Sequence, residues 1–283
     1  MRHTPSPRCA VAGAVLLGLT GFAHQLPAQE LTLHERPWTG SVIRPSGGPV
    51  IPIYDGWYEN EDGTRTLCFG YYSVNSEEDF TIPLGPDNYI EPREYDGLQP
   101  DYFERIPERP FAYRRRYCAF SVNVPATFSG DDEVVWTLRR GRGEELSVPG
   151  RLGDWYILDE PTSPGMRNEA PILRFEPDGP EGQGRNGFFA GPVRAQVGVP
   201  LQLAVSVDHP ADELWVGWAK HQGPADVTFS EQNTMTDAAK RASTAATFSV
   251  PGEYLIRVQT IDSIADLEFF CCWTNGYLRV VVE

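Results

Sequence analysis

Apolar and polar positions along this chain alternate with a period of two, in runs too short for helices. Phe120-Ser-Val-Asn-Val124, Leu201-Gln-Leu-Ala-Val-Ser-Val207 and Tyr277-Leu-Arg-Val-Val-Val282 each read as strands, and no long 3.6-residue period is visible. The 27 glycines and 25 prolines in 283 residues break these runs into short pieces. The pattern predicts an all-β chain built as two immunoglobulin-like β-sandwich domains behind a cleaved signal peptide.

In the first half, Ile51 to Tyr58 and Arg65 to Ser73 form a hairpin across Glu59-Asn-Glu-Asp-Gly-Thr64. Asp62-Gly63 marks its turn, because glycine accepts the positive φ that such a turn needs. Residues 29–50 read as a lead-in, with Pro37, Pro45, Pro49 and the Gly47-Gly48 pair. Residues 82–110 read as a long ordered loop pinned by Tyr89, Ile90, Tyr95, Tyr102 and Phe103. Arg116 to Val124, Glu133 to Leu138 and Glu144 to Val148 are further strands. A Pro/Gly-rich stretch, residues 161–192, separates a first domain at 29–160 from a second at 193–283. Within it, Ala170 to Phe175 is a candidate first strand of the second domain, followed by a flexible insertion from Glu176 to Phe189.

The second half carries a strand with tryptophan, Leu214-Trp-Val-Gly-Trp218, then Gly223-Pro-Ala-Asp-Val-Thr-Phe229, then Ala246 to Val258 through Pro251-Gly252. Tyr254, two residues past that corner, is placed to bury its ring and send its hydroxyl to the backbone. After it, Ile256 and Val258 alternate with Arg257 and Gln259, predicting one buried and one wet face. On Trp218, Gly223, Pro224, Val227, Phe229, Ala246, Thr247, Phe248, Pro251, Gly252, Tyr254, Val258 and Asp262, residues 193–283 resemble a PKD-type immunoglobulin-like module. The resemblance implies an extracellular β-sandwich used for spacing, adhesion or ligand contact, with no shared catalytic residues.

Arg2 and Arg8 precede an uncharged apolar stretch, Cys9 to Ala23. That is the pattern of a signal peptide over residues 1–28, too short to be a comfortable membrane span. The expected cleavage lies after Ala28, with Ala23 as the other small-residue exit. Export would remove two of the 24 basic residues and none of the 39 acids, leaving 22 against 39, a charge of −17. Such a chain, periplasmic or extracellular, disfavours nucleic acid and anionic membrane surfaces as partners. It is expected to meet an envelope or extracellular protein or a polysaccharide, with no stable membrane span after processing. Only Lys220 and Lys240 are lysines, and nothing in the sequence accounts for that scarcity.

Cys68, Cys118, Cys271 and Cys272 would survive export, and an oxidising compartment would pair them. The expected pairs are Cys68–Cys118 and a vicinal Cys271–Cys272; the rival pairings would staple the two domains together. Strand phase runs against the first pair. Cys118 alternates in step with Phe120, Val122 and Val124, whereas Cys68 is out of step with Leu67, Phe69 and Tyr71. A metal at Cys271-Cys272-Trp273 lacks further ligands in the sequence.

No catalytic motif stands out. His34, His209 and His221 have no metal-ligand spacing and read as surface or loop positions, and no Gly-x-Ser-x-Gly elbow marks a nucleophile. No cofactor is implied. Calcium is the one ion for which carboxylates are grouped, at Glu59–Asp62, Glu77–Asp79 and Asp131–Glu133, but none has a regular calcium-loop spacing and each also reads as a solvated turn. The chemistry that remains is aromatic. Trp57, Tyr58, Tyr89, Tyr95 and Tyr102 are the candidate ligand-binding residues, since exposed rings stack on sugars or peptide side chains. For any single ring, core packing is the commoner fate. The expectation is a non-catalytic binding or structural module. Its alternatives are a carbohydrate-binding protein using the first domain's aromatics and, further off, a secreted hydrolase.

Overall fold

The computed structural model describes residues 45–105, 115–139, 145–158, 170–261 and 273–283, and among them the chain is all-β. In the first half the strands are β1 (Val50–Glu59), β2 (Arg65–Ser73), β3 (Phe80–Thr81), β4 (Asn88–Glu91), β5 (Tyr102–Phe103), β6 (Arg115–Val124), β7 (Val134–Arg139) and β8 (Glu145–Gly150). They form one sheet in the order β1-β2-β6, a second in the order β4-β7-β8 and a small β3-β5 pair. Leu67, Phe69, Phe120 and Val122 from the first sheet meet Ile90, Trp136 and Leu138 from the second in a buried core. Fully burying each large apolar side chain of this kind contributes roughly 1.5–3 kcal/mol. The expected turn at Asp62-Gly63 is present, with Gly63 at φ +80°.

The 82–105 segment is ordered by amides more than by tyrosines. Buried Asn88 accepts from the Trp136 indole at 3.0 Å and donates to the Ile82 and Pro100 carbonyls at 2.9 and 2.8 Å. Those bonds fix both arms of the loop to the core, since an unpaired buried amide would be costly.

The second half contains β9 (Ile172–Phe175), β10 (Glu181–Gln183), β11 (Phe188–Ala195), β12 (Leu201–Asp208), β13 (Trp215–Gln222), β14 (Val227–Phe229), β15 (Asn233–Met235), β16 (Arg241–Phe248), β17 (Gly252–Ile261) and β18 (Trp273–Val282). Its sheets run β10-β9-β12-β16-β14 and β11-β18-β17-β13-β15, with β11 parallel to β18. Trp218, Leu203, Val205, Phe248, Ile256, Val258, Leu278 and Val280 fill the space between them. The Tyr254 ring is buried against Phe248, and its hydroxyl donates to the Val250 carbonyl at 2.9 Å. Gly223 is required beside it, because a Cβ there would lie 2.3 Å from that ring.

The stretch expected to be a flexible insertion, 176–189, instead carries β10 and the start of β11. Gln183 donates to Ala170 O, and the Gly184 N–H donates to Thr274 Oγ1, so hydrogen bonds anchor its middle.

Cys68 and Cys118 form a disulfide, and the phase conflict is resolved by a bulge. Phe69 pairs with Phe120 and Tyr71 with Arg116, so residues 117–119 of β6 face a single residue of β2. Cys118 sits there at φ +38°, which turns its side chain off the Phe120 face and toward Cys68. The facing bulge in β1 falls at Asp55, whose Oδ2 accepts the Cys118 N–H at 2.6 Å. Gly70 leaves room for that carboxylate, since a Cβ at this position would lie 2.6 Å from Asp55 Oδ2. Cys271 and Cys272 lie outside the described residues.

The disulfide closes a separation of 50 residues. Its loss in a Cys68→Ala/Cys118→Ala double variant is expected to lower the unfolding free energy by about 2–5 kcal/mol. Urea denaturation of the two proteins side by side measures this, and equal midpoints would show the bond to be idle.

Candidate functional site

On β17 the side chains of Tyr254, Ile256 and Val258 point into the second core, while Glu253, Leu255, Arg257 and Gln259 face outward. Register pairs that outward row with Val281, Arg279, Tyr277 and Asn275 of β18. The expectation of a wet face fails over much of its length, because the first sandwich covers it. Arg257 is only 7% exposed, and Asn275, Tyr277 and Trp273 are buried with it.

The covering surface is the β6 bulge. Its backbone carbonyls are turned out of the ladder and accept side chains of the second sandwich. Ala119 O takes Arg257 Nη1 at 3.2 Å and the Tyr277 hydroxyl at 3.3 Å, and Cys118 O takes Asn275 Nδ2 at 3.4 Å. Beneath them the disulfide, Leu158 and Trp273 make a small third core shared by both halves. Asp55 also pairs with Arg115, and burial pushes its carboxyl up to about 6 against the pull of Arg115.

The far end of the seam is made by the 97–101 loop lying along β13. The Asp101 N–H donates to His221 O at 2.9 Å, and His221 Nε2 donates to Leu98 O at 2.9 Å. Gln222 Nε2 reaches Gly97 O and Gln99 O, and the Gly223 N–H donates to Asp101 Oδ2. Lys220, with a side chain 1% exposed, holds its ammonium 3.7 Å from Asp101 and donates to Thr81 Oγ1 and Gly223 O. Burial raises the Asp101 carboxyl, while the Gly223 N–H and Lys220 pull it down. His209 and His221, expected at the surface, are both buried. His221 is pushed down to about 3, chiefly by burial and further by the nearby Arg257 charge.

Between bulge and loop the cover stops short, and a cleft of about 410 Å³ remains. Its floor is the uncovered end of the outward row, Glu253, Leu255 and Arg279, and its walls include Leu98, Ser121 and Phe189. Phe189 is 51% exposed and stacks on Tyr277 with centroids 5.1 Å apart and planes 22° apart. That size falls within the roughly 300–1,000 Å³ of small-molecule sites.

All five aromatic candidates are half-buried. Tyr58 and Tyr102 reach the seam: the first donates its hydroxyl to Asn186 with Arg185 over its ring, and the second lies 5.0 Å from the Lys220 ammonium. Trp57 donates to Gly153 O at 3.0 Å, Tyr89 lies on β4 across from Thr137, and Tyr95 packs on the first core. Among the described residues the exposed rings are others: Trp155 at 97%, Tyr156 at 51% and Phe189. Trp155 and Tyr156 belong to a 3-10 turn at Asp154–Tyr156, outside any alternating run, so strand periodicity could not pick them out. Phe189 was hidden in the supposed insertion, where only the doubled Phe188-Phe189 marked it.

The acid groups serve as turn caps and ion-pair partners. Asp62 accepts from Thr64, Asp132 from Ser129, and Asp79 from the Arg105 N–H. Among the described residues no three His, Cys, Asp or Glu side chains are grouped to hold a metal ion.

No protein-family model matches the chain, and no curated protein does. Solved structures that resemble it include the D00-D0 domain of intimin, 11% identical, with 82% of this chain and 100% of that chain covered and a TM-score of 0.27. The titin domains Z1Z2, solved in complex with telethonin, are 12% identical over 84% of this chain and 100% of theirs, with a TM-score of 0.22. The Yersinia pseudotuberculosis adhesin InvE is 10% identical, with 82% of this chain and 58% of that chain covered and a TM-score of 0.25. Nothing about function passes to this chain at such identities and scores.

Two outcomes test the seam. Lys220→Met leaves Asp101 buried without its cation and is expected to cost about 3–5 kcal/mol in urea denaturation at pH 7. Acidification is expected to destabilise the protein through His221. The unfolded chain takes up a proton near the ordinary value of 6.5 and the folded one only near 3, so stability falls as pH drops between them, by several kcal/mol over the full window. Asp55 has the opposite sign. Its folded value of about 6 lies above the ordinary 3.8, so it adds stability as pH falls through that narrower range. Midpoints measured from pH 7 to 4 should therefore fall in the wild type and fall less, or rise, in His221→Gln. Parallel curves would remove His221 from the account.

Proposed function

We propose that this chain is an exported, non-catalytic module of the periplasm or extracellular space that binds or spaces other molecules. Its two domains span 29–160 and 193–283, with the Pro/Gly-rich stretch 161–192 between them, and the second is of PKD type. The observation that carries this reading is the seam. The polar groups on the outer face of β17 and β18 are directed at the backbone of the first sandwich, which holds two β-sandwiches together as a ligand-presenting or spacing body. Both described histidines bond to backbone, His221 to Leu98 O and His209 to the Ala211 N–H.

The Cys68–Cys118 bond supports an oxidising compartment, and the basic and apolar start of the chain supports the route there. Among the described residues no helix is long and apolar enough to cross a membrane. The acid excess favours a protein or neutral polymer over nucleic acid as the partner.

Expression of the full precursor in a bacterial host tests export. Mass spectrometry of the exported protein should find a new N-terminus after Ala23 or Ala28 and no free thiol at Cys68 or Cys118. Retention of the mature chain on insoluble polysaccharides, peptidoglycan or a cross-linked envelope protein, without release of soluble product, is the expected binding result. Product released in proportion to time and protein would make it a hydrolase instead.

A further inference from the structure

We propose that the cleft between the two sandwiches is a saccharide-binding site, with Phe189 as its stacking platform. This rests on the binding reading above and moves the site from the first domain's tyrosines to the seam. Phe189 is held on edge strand β11 by parallel pairing with β18, one ring face on Tyr277 and about half its surface open to solvent. Tyr277 cannot retreat, because its hydroxyl is tied to Ala119 O and its ring meets His221 edge-on at 4.9 Å. The platform is therefore in place before any ligand arrives, which spares a ligand the cost of ordering it.

The polar groups around the platform suit an uncharged, hydroxyl-rich ligand. Glu253 and Arg279 project from the same face of adjacent strands and are both exposed. Neither has an ion-pair partner among the described residues. Together they offer acceptors and donors with no net charge. Ser121, whose hydroxyl donates to Asn186 O at 3.2 Å, keeps lone pairs to accept, and Gln222 also lines the cleft. A phosphorylated or carboxylated ligand would meet one guanidinium opposed by a carboxylate. A purely apolar ligand would bury both charges unpaired, at a cost it could not offset. A pyranose has a C–H face for the ring and equatorial hydroxyls for the flanking side chains, so it satisfies both surfaces at once.

Calorimetric titration of the mature chain with soluble neutral oligosaccharides (gluco-, manno-, galacto- and chito-oligomers) and with acidic uronate oligomers tests the inference. At least one neutral oligomer is expected to bind. Phe189→Ala should weaken it at least about tenfold, and Glu253→Gln and Arg279→Met about three- to tenfold each. Thermal midpoints should hold, because all three side chains are exposed. Binding of the acidic oligomers alone, or of none, would overturn the inference. So would neutral binding that survives Phe189→Ala and disappears in Trp155→Ala, which would place the site at the 3-10 turn. These failures leave the binding or spacing reading standing, because that one is decided by retention on polymers or envelope proteins and by product release.

Discussion

Two backbone carbonyls, those of Cys118 and Ala119, hold the position on which the assembly of this molecule turns. In a regular strand they would lie within the ladder. The bulge at 117–119 turns them outward, and Arg257, Tyr277 and Asn275 of the second sandwich donate to them. The bulge in turn exists because Asp55 takes the Cys118 N–H, Gly70 makes room for the carboxylate, and Cys68 ties down the displaced side chain. A local irregularity in one sheet is thus the docking surface for the next.

Both faces of β18 are consequently buried over most of its length, one against its own core and one against the first domain. The price is polar burial: Arg257, Lys220, Asp101 and His221 are all withdrawn from water. Such groups are weak sources of net stability, since their desolvation offsets much of what their contacts return. Their directional demands leave few alternative dockings, because a shift of one residue would strand several of them without partners. Of the two lysines, Lys220 belongs to this buried set, and Lys240 is half-exposed on the second sandwich. Each brings a compact ammonium to main-chain carbonyls, Lys220 to Gly223 O and Lys240 to Ala211 O and Asp212 O.

The strands, the tyrosine corner and the Cys68–Cys118 pair were legible in sequence, because each follows from a plain signal: period two, a Pro-Gly corner, an even count of cysteines beyond residue 28. The seam was not. Arg257 and Gln259 alternate with apolar residues as any solvent-facing row does, and nothing local distinguishes water from another domain's backbone as the acceptor. The same limit concealed His221, which meets loop 97–101 from more than a hundred residues away. Aromatic residues were legible as a class but not by fate. On strands alone, Trp136 is buried, Trp57 half-buried and Phe189 half-exposed, while Trp155 stands in solvent on a 3-10 turn.

A cleft at such a seam inherits its geometry from both domains. Its floor is the stretch of the β17–β18 face that the bulge and the 97–101 loop leave uncovered, so its depth is set by where those two covers end. Any change that loosens the docking, at Lys220 or at the bulge, alters the walls without touching a lining side chain. Recognition and stability are therefore coupled here through the backbone. The uncharged balance of Glu253 and Arg279 stands out against a protein with so large an acid excess. Along the rest of the outward row the polar side chains are turned to holding the domains together. At this end the donors and acceptors remain open, beside a ring already fixed in place, and that is the arrangement a hydroxyl-rich ligand needs.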